Sequence, residues 1–257
     1  MKRWNFPLMM LIAFAGSAQT ITDKADEAYS AENYTEAIKL YNQALDSLGS
    51  SSMLFYNLGN AYYRADSLAQ AILAYERALL LDPTNSDART NLDFVNTKII
   101  DTPVDTSSYS TIILDKALQL MSPNAWGWTA LVCFIAVLVL AGGYILSNGV
   151  GRRKACFFGG LAMLFIFIGA LSITLIGTNR STSHNNAIIT AQSTQLSTTP
   201  SKPLTSKQQA FLLHEGCRVE IVDSIATPLD PSARMWYEVK VDSEHRAWVN
   251  ANDIERI

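Results

Sequence analysis

Three histidines and three cysteines are the side chains of this 257-residue chain best suited to act as bases, nucleophiles or metal ligands. Their spacing joins none of them. Cys133, Cys156 and Cys217 fall in three separate stretches, with no Cys-x-x-Cys and no paired His of metal-site spacing. His184 lies in a Ser/Thr-rich stretch, while His214 and His245 flank alternating apolar segments. A phosphate-binding glycine loop, a Gly-x-Ser-x-Gly elbow and a His-Glu-x-x-His helix are all missing. The chain therefore reads as a non-enzyme with no catalytic residue, no cofactor and no metal. What remains is binding chemistry, carried by the amide and guanidinium donors Asn57, Asn60 and Arg64, and by the cations Arg152, Arg153 and Lys154.

The Arg152–Lys154 cluster separates two apolar runs, 126–146 and 155–177, neither of which holds a charged residue. A helix rising about 1.5 Å per residue crosses the hydrocarbon core in about 20 residues, so each run is long enough to span a bilayer. Short loops rich in Lys and Arg stay in the cytoplasm, so the expected loop 147–154 is inside and both flanks are outside. Residues 1–18, with Lys2 and Arg3 ahead of an apolar core and Gly16-Ser17-Ala18, read as a secretory signal, which leads to the same topology. The spans carry Thr129, Ser172 and Thr174 but no ionisable group, which favours anchoring over transport. Gly142-Gly143 and Gly159-Gly160 are expected at one depth, where the two helices approach closely.

Residues 19–100 contain a self-match at a constant offset of 34: Ala37, Tyr41 and Ala44 recur as Ala71, Tyr75 and Ala78. That is the tetratricopeptide period, two antiparallel helices per repeat, with copies at 18–51 and 52–85. The second copy resembles the family consensus, which implies packing roles for Leu58, Gly59, Tyr62, Ala71 and Ala78, with Pro83 ending its second helix. Residues 86–100 supply a capping helix, started by Ser86 and covering the last repeat with Leu92, Phe94 and Val95. Residues 21–100 hold 11 acidic and 6 basic side chains, a balance that excludes nucleic acid as a partner. The groove of such an array would present Asn57, Asn60 and Arg64 to an extended peptide or a C-terminal carboxylate.

Residues 101–125 read as a polar linker followed by an amphipathic helix, lying on the membrane surface or packed on the repeats. Residues 178–210, rich in Ser and Thr, read as a second linker, with Ala187-Ile188-Ile189 as an optional opening strand. From 211 to 257 the apolar period changes to two, at 218–222, 236–241 and 246–249, which predicts a small β-barrel.

The order Leu213-His-Glu-Gly216, Val219, Trp236-Tyr-Glu-Val239, Ala247-Trp-Val249, Ile254 resembles bacterial SH3-like domains. That resemblance implies a turn at Gly216, Trp248 as the anchor of the barrel end, and cell-wall peptide or glycan as a ligand class. The first loop departs from the family's Asn-x-Arg-x-Gly-Pro stretch, with Gln195–Pro200 in its place. Signal, repeats, membrane hairpin and SH3-like barrel in this order resemble the BatE family of the bacterial aerotolerance (Bat) operon. The resemblance implies an envelope protein working beside membrane-anchored von Willebrand A-domain Bat proteins and a MoxR-type ATPase. The fold class expected is thus multidomain: an all-α repeat module, two transmembrane helices and a small all-β barrel. The expected function is a scaffold that binds protein partners through its repeats, or alternatively a cell-wall-binding sensor that uses the barrel.

Overall fold

The computed structural model describes residues 21–101, 109–182, 185–226, 235–241 and 245–257. The signal expected at 1–18, His184, and most of both the 101–110 linker and the turn before Trp236 lie outside them. The chain divides into two compact units. One joins the N-terminal helices to the C-terminal strands, and the other is the stretch between them.

Five helices open the first unit: α1 (21–30), α2 (Tyr34–Leu48), α3 (Ser52–Arg64), α4 (Leu68–Leu81) and α5 (Ser86–Asn96). The 34-residue period appears in the turns as well as in the helices. Glu32 and Asp66, one period apart, both adopt the left-handed conformation (φ 61° and 60°) that reverses the chain between paired helices. Asn33 caps α2, its side chain accepting from the Glu36 amide. Asn85 caps α5 by accepting from the Ala88 amide, so Ser86 is the first helical residue and not the cap expected from the sequence. Helix α4 ends two residues before Pro83, whose carbonyl accepts from Arg89. Ala71 and Ala78 are fully buried at the α3–α4 crossing, with Leu58 nearly so. Gly59 makes this crossing possible, because a Cβ there would lie 2.6 Å from the Tyr75 ring.

The C-terminal part is a seven-stranded antiparallel sheet: β1 (Asn186–Ile189), β2 (Ser193–Ser197), β3 (Gln209–His214), β4 (Arg218–Ala226), β5 (Met235–Lys240), β6 (Arg246–Asn250) and β7 (Ile254–Arg256). Their order is β3-β2-β6-β5-β4-β1-β7, so the sheet has two free edges and does not close into the expected barrel. One apolar cluster, including Ala187, Ile189, Leu196, Val219, Val239, Val249 and Ile254, still draws on both ends of that order. The sheet therefore begins inside the stretch 178–210, which is not simply a linker. Strand β2 escapes a reading of apolar pattern because its buried Ser197 and Thr194 are satisfied by hydrogen bonds, Thr194 Oγ1 donating to Asp253 at 2.6 Å. Trp248 is only half-buried; Ala247 and Val249 point into the core, and strand alternation turns Trp248 to the other face.

The sheet packs on the repeats. Ile188 and Ile257 belong to the same buried cluster as Ile72, Tyr75 and Val95. All of Ala187, Ile188 and Ile189 are fully buried, because β1 is covered by the sheet core on one face and by α4 on the other. Gly216 (φ +86°) turns the chain against the helices, and a Cβ there would lie 2.7 Å from Ile99 and 2.9 Å from Ile72. The rim is polar: Arg77 donates to Glu255 at 2.9 Å and to the Arg256 carbonyl at 2.6 Å, and Arg218 pairs with Glu76 at 3.0 Å.

The second unit holds α6 (Tyr109–Leu120), α7 (Pro123–Leu146) and α8 (Val150–Thr182). Helices α7 and α8 are long and apolar enough to cross a membrane, and they leave most of their apolar side chains exposed. The turn between them is 147–149, shorter than the expected 147–154, because α8 begins at Val150 and takes in Arg152, Arg153 and Lys154. This shift moves the glycine pairs out of register. Gly143 faces Cys156 and Gly159 faces Leu140, so the two pairs do not meet as expected. Helix α6 packs on α8 within this unit, with Leu118 buried against Gly177 and the Trp126 indole donating to the Ala117 carbonyl at 3.0 Å.

Gly59→Ala should destabilise the repeats by about 1–3 kcal/mol, since the Tyr75 ring is fully packed and cannot yield. Thermal unfolding of the full chain in detergent measures it; an unchanged midpoint would contradict this packing.

Candidate protein-binding groove

The first helices of each pair share a face, and the 34-residue period sets its rows. Asn57 repeats as Asn91, Tyr29 as Tyr63, and Arg64 as Lys98. Helix α3 presents Asn57, Asn60 and Arg64 on this face, because Leu54, Leu58 and Ala61 are committed to the core. Their chemistry differs. Asn60 is tied inward: its Oδ1 accepts from the Tyr75 hydroxyl at 2.7 Å and from the Asn91 amide at 2.8 Å. It is a structural junction between α3, α4 and α5, not the free groove donor expected from the sequence. Burial raises the Tyr75 phenol above its ordinary value, so its hydrogen stays available to Asn60. Asn57 is half-buried and carries no hydrogen bond among the described residues. Arg64 is exposed, donating twice to the Tyr34 hydroxyl, at 3.0 and 2.7 Å, with its guanidinium 5.2 Å from the centre of that ring.

On this face sequence reasoning missed Tyr63 and Lys98 and assigned Phe94 to the cap instead. Tyr63 and Phe94 meet edge to face at 5.8 Å, and the Lys98 ammonium lies 4.9 Å from the Phe94 ring and 5.5 Å from Tyr63. Leu92 and Val95 are buried as capping residues, whereas Phe94 is 52% exposed and lies in the groove. The period itself was the available signal, since one repeat beyond Arg64 is Lys98. On the other side of α3, Tyr62 joins Asn42, Leu45, Phe55, Leu73, Arg77 and Glu255 around a cavity of about 510 Å³.

The remaining candidates sit elsewhere. In the second unit Arg152 folds over Gly149, and the Arg153 guanidinium stacks on Tyr144 at 4.8 Å. His214 is held by Asp101, its Nδ1 3.2 Å from the carboxylate and its backbone amide donating to the same group. His214 and Cys217, three residues apart, share the Gly216 turn, and what the fold adds to them is Asp101, 113 residues away from His214 in sequence. Burial, reinforced by Asp101, pushes the Cys217 thiol up to about 11, so it stays protonated near neutrality and is a poor nucleophile. Among the described residues, no group of three His, Cys, Asp or Glu side chains is arranged to hold a metal ion.

Asn60→Ala should cost about 1–3 kcal/mol by leaving the Tyr75 hydroxyl and the Asn91 amide without their acceptor. Arg64→Ala should leave stability within about 0.5 kcal/mol, as expected for an exposed side chain. Urea unfolding of the two variants distinguishes a junction from a surface; equal costs would contradict the assignment.

Residues 22–88 match the tetratricopeptide repeat family, spanning α2, α3 and α4 with most of α1. No curated protein matches the chain.

Proposed function

We propose that this chain is a non-catalytic adaptor of the bacterial cell envelope, anchored in the inner (cytoplasmic) membrane by α7 and α8, that binds protein partners through its repeats. Connectivity carries the reading. Among the described residues, those up to Asp101 and from Asn185 onward belong to the repeat–sheet unit, and the intervening segment contains two apolar helices. Because the sheet packs on α4 through Ile188 and Ile257, repeats and sheet must occupy the same side of any membrane those helices cross. An even number of spans satisfies that condition, and the basic start of α8 supports a cytoplasmic hairpin tip. Repeats and sheet are then outside the cytoplasm.

The match to tetratricopeptide repeats supports a protein partner, since such arrays present extended binding surfaces. The resemblance to BatE-type proteins suggests which ones: membrane-anchored von Willebrand A-domain Bat proteins, in a complex served by a MoxR-type ATPase. The strand pattern that resembles SH3-like domains is here committed to the repeats through β1, β7 and the Gly216 turn. That commitment favours the adaptor over a wall-binding sensor.

Reporter fusions after Ile100 and after Ile257 should be active outside the cytoplasm, and one placed in 147–149 should be active inside. A cytoplasmic C-terminus would overturn the anchoring arrangement.

A further inference from the structure

We infer that the groove takes an extended segment rich in Asp and Glu, seated on the α3–α5 side. This rests on the adaptor reading and names its partner by chemistry.

The repeat module is acidic overall, with 11 carboxylates against 6 cations in 21–100. Of the six, Lys39 pairs with Glu36, Arg77 with Glu255, Arg89 donates to the Pro83 carbonyl, and Lys24 is exposed on α1 with no ring contact among the described residues. Arg64 and Lys98 differ. They occupy equivalent positions one period apart, and neither forms an ion pair among the described residues. Each is laid on aromatic rings, Arg64 on Tyr34 and Lys98 on Phe94 and Tyr63. Stacking leaves the charge intact while restricting a long side chain, so less ordering remains to be done when a carboxylate arrives. The exposed Phe94 ring, next to Lys98, adds an apolar surface for the segment's side chains. Across the same face, the row of Asn57 and Asn91 begins at Asp23 of α1, and Asp26 precedes Asn60 by one period. The α1 end carries Asp23, Asp26 and Glu27 against Lys24, with Asp26 accepting from the Tyr41 hydroxyl at 2.6 Å, so it disfavours carboxylates, while the two ring-stacked cations of the α3–α5 end attract them. An acidic segment is held at one end only, which fixes its position.

The test pans a random peptide library of about ten residues per member on the full chain in detergent micelles, with an Arg64→Glu/Lys98→Glu variant in parallel. The wild type should enrich acidic residues roughly tenfold over the input, and the double variant should lose or invert that enrichment at unchanged helix content. A parallel Arg64→Gln/Lys98→Gln variant should lose the acidic bias without gaining a basic one. Peptides selected without acidic bias, or with the same bias by both proteins, overturn the acidic partner. If that selection still vanishes in Tyr63→Ala/Phe94→Ala, the groove and the adaptor reading stand. A wild type that selects no peptide at all removes the groove, and both readings with it.

Discussion

The packing of β1 and the chain's C-terminal residue on α4 is the interaction on which the rest of this protein depends. Ile72, Ile188 and Ile257 share one buried cluster, and an isoleucine taken fully out of water contributes about 1.5–3 kcal/mol. The ion pairs at its rim, Arg77 with Glu255 and Arg218 with Glu76, are partly exposed, and such pairs contribute at most about 1 kcal/mol each. Apolar burial holds the two parts together; the charges fix their register. The contact also solves a problem of the sheet. Its end strands, β3 and β7, expose backbone groups, and each receives a cap from the repeat side: Asp101 accepts from the His214 amide, and Arg77 donates to the Arg256 carbonyl.

A two-repeat array buries little by itself, and solenoids ordinarily need terminal caps. Here α5 covers one end while the sheet covers the outer side of α4, which explains why α4 is buried on almost every face. The same covering leaves the shared face of α1, α3 and α5 open. The module's available binding surface is thus set by where the sheet is absent. The apolar hairpin, inserted between the two parts, then carries a single soluble unit on one side of the membrane in the proposed arrangement.

Much of this was legible in the sequence, for identifiable reasons. A repeat leaves a constant offset, and a span leaves an uncharged run; both survive without knowledge of tertiary contacts. The turn of the hairpin was set too long because Arg152–Lys154 look like loop residues, although long cationic side chains are compatible with a helix end. Strand β1 has no alternation because both its faces are covered, and β2 hides behind Ser and Thr whose polar groups are satisfied internally. Asn60 looked like a groove donor because its partners, Tyr75 and Asn91, lie on other helices and meet it only in the fold. The docking of the sheet left no sign in the sequence, because Ile72 meets the Gly216 turn and Ile188 only in the fold.

The central claim is that repeats and sheet form one unit on one side of the membrane. It is tested most directly by placing cysteines at Glu76 and Arg218, whose side chains meet at 3.0 Å, in a chain whose three native cysteines are replaced by alanine. A short, membrane-impermeant bifunctional thiol reagent applied to intact spheroplasts should join the two positions within a single chain. Protease cleavage between them should then leave the fragments linked. Fragments that separate after treatment, although each cysteine reacts alone, would contradict the account.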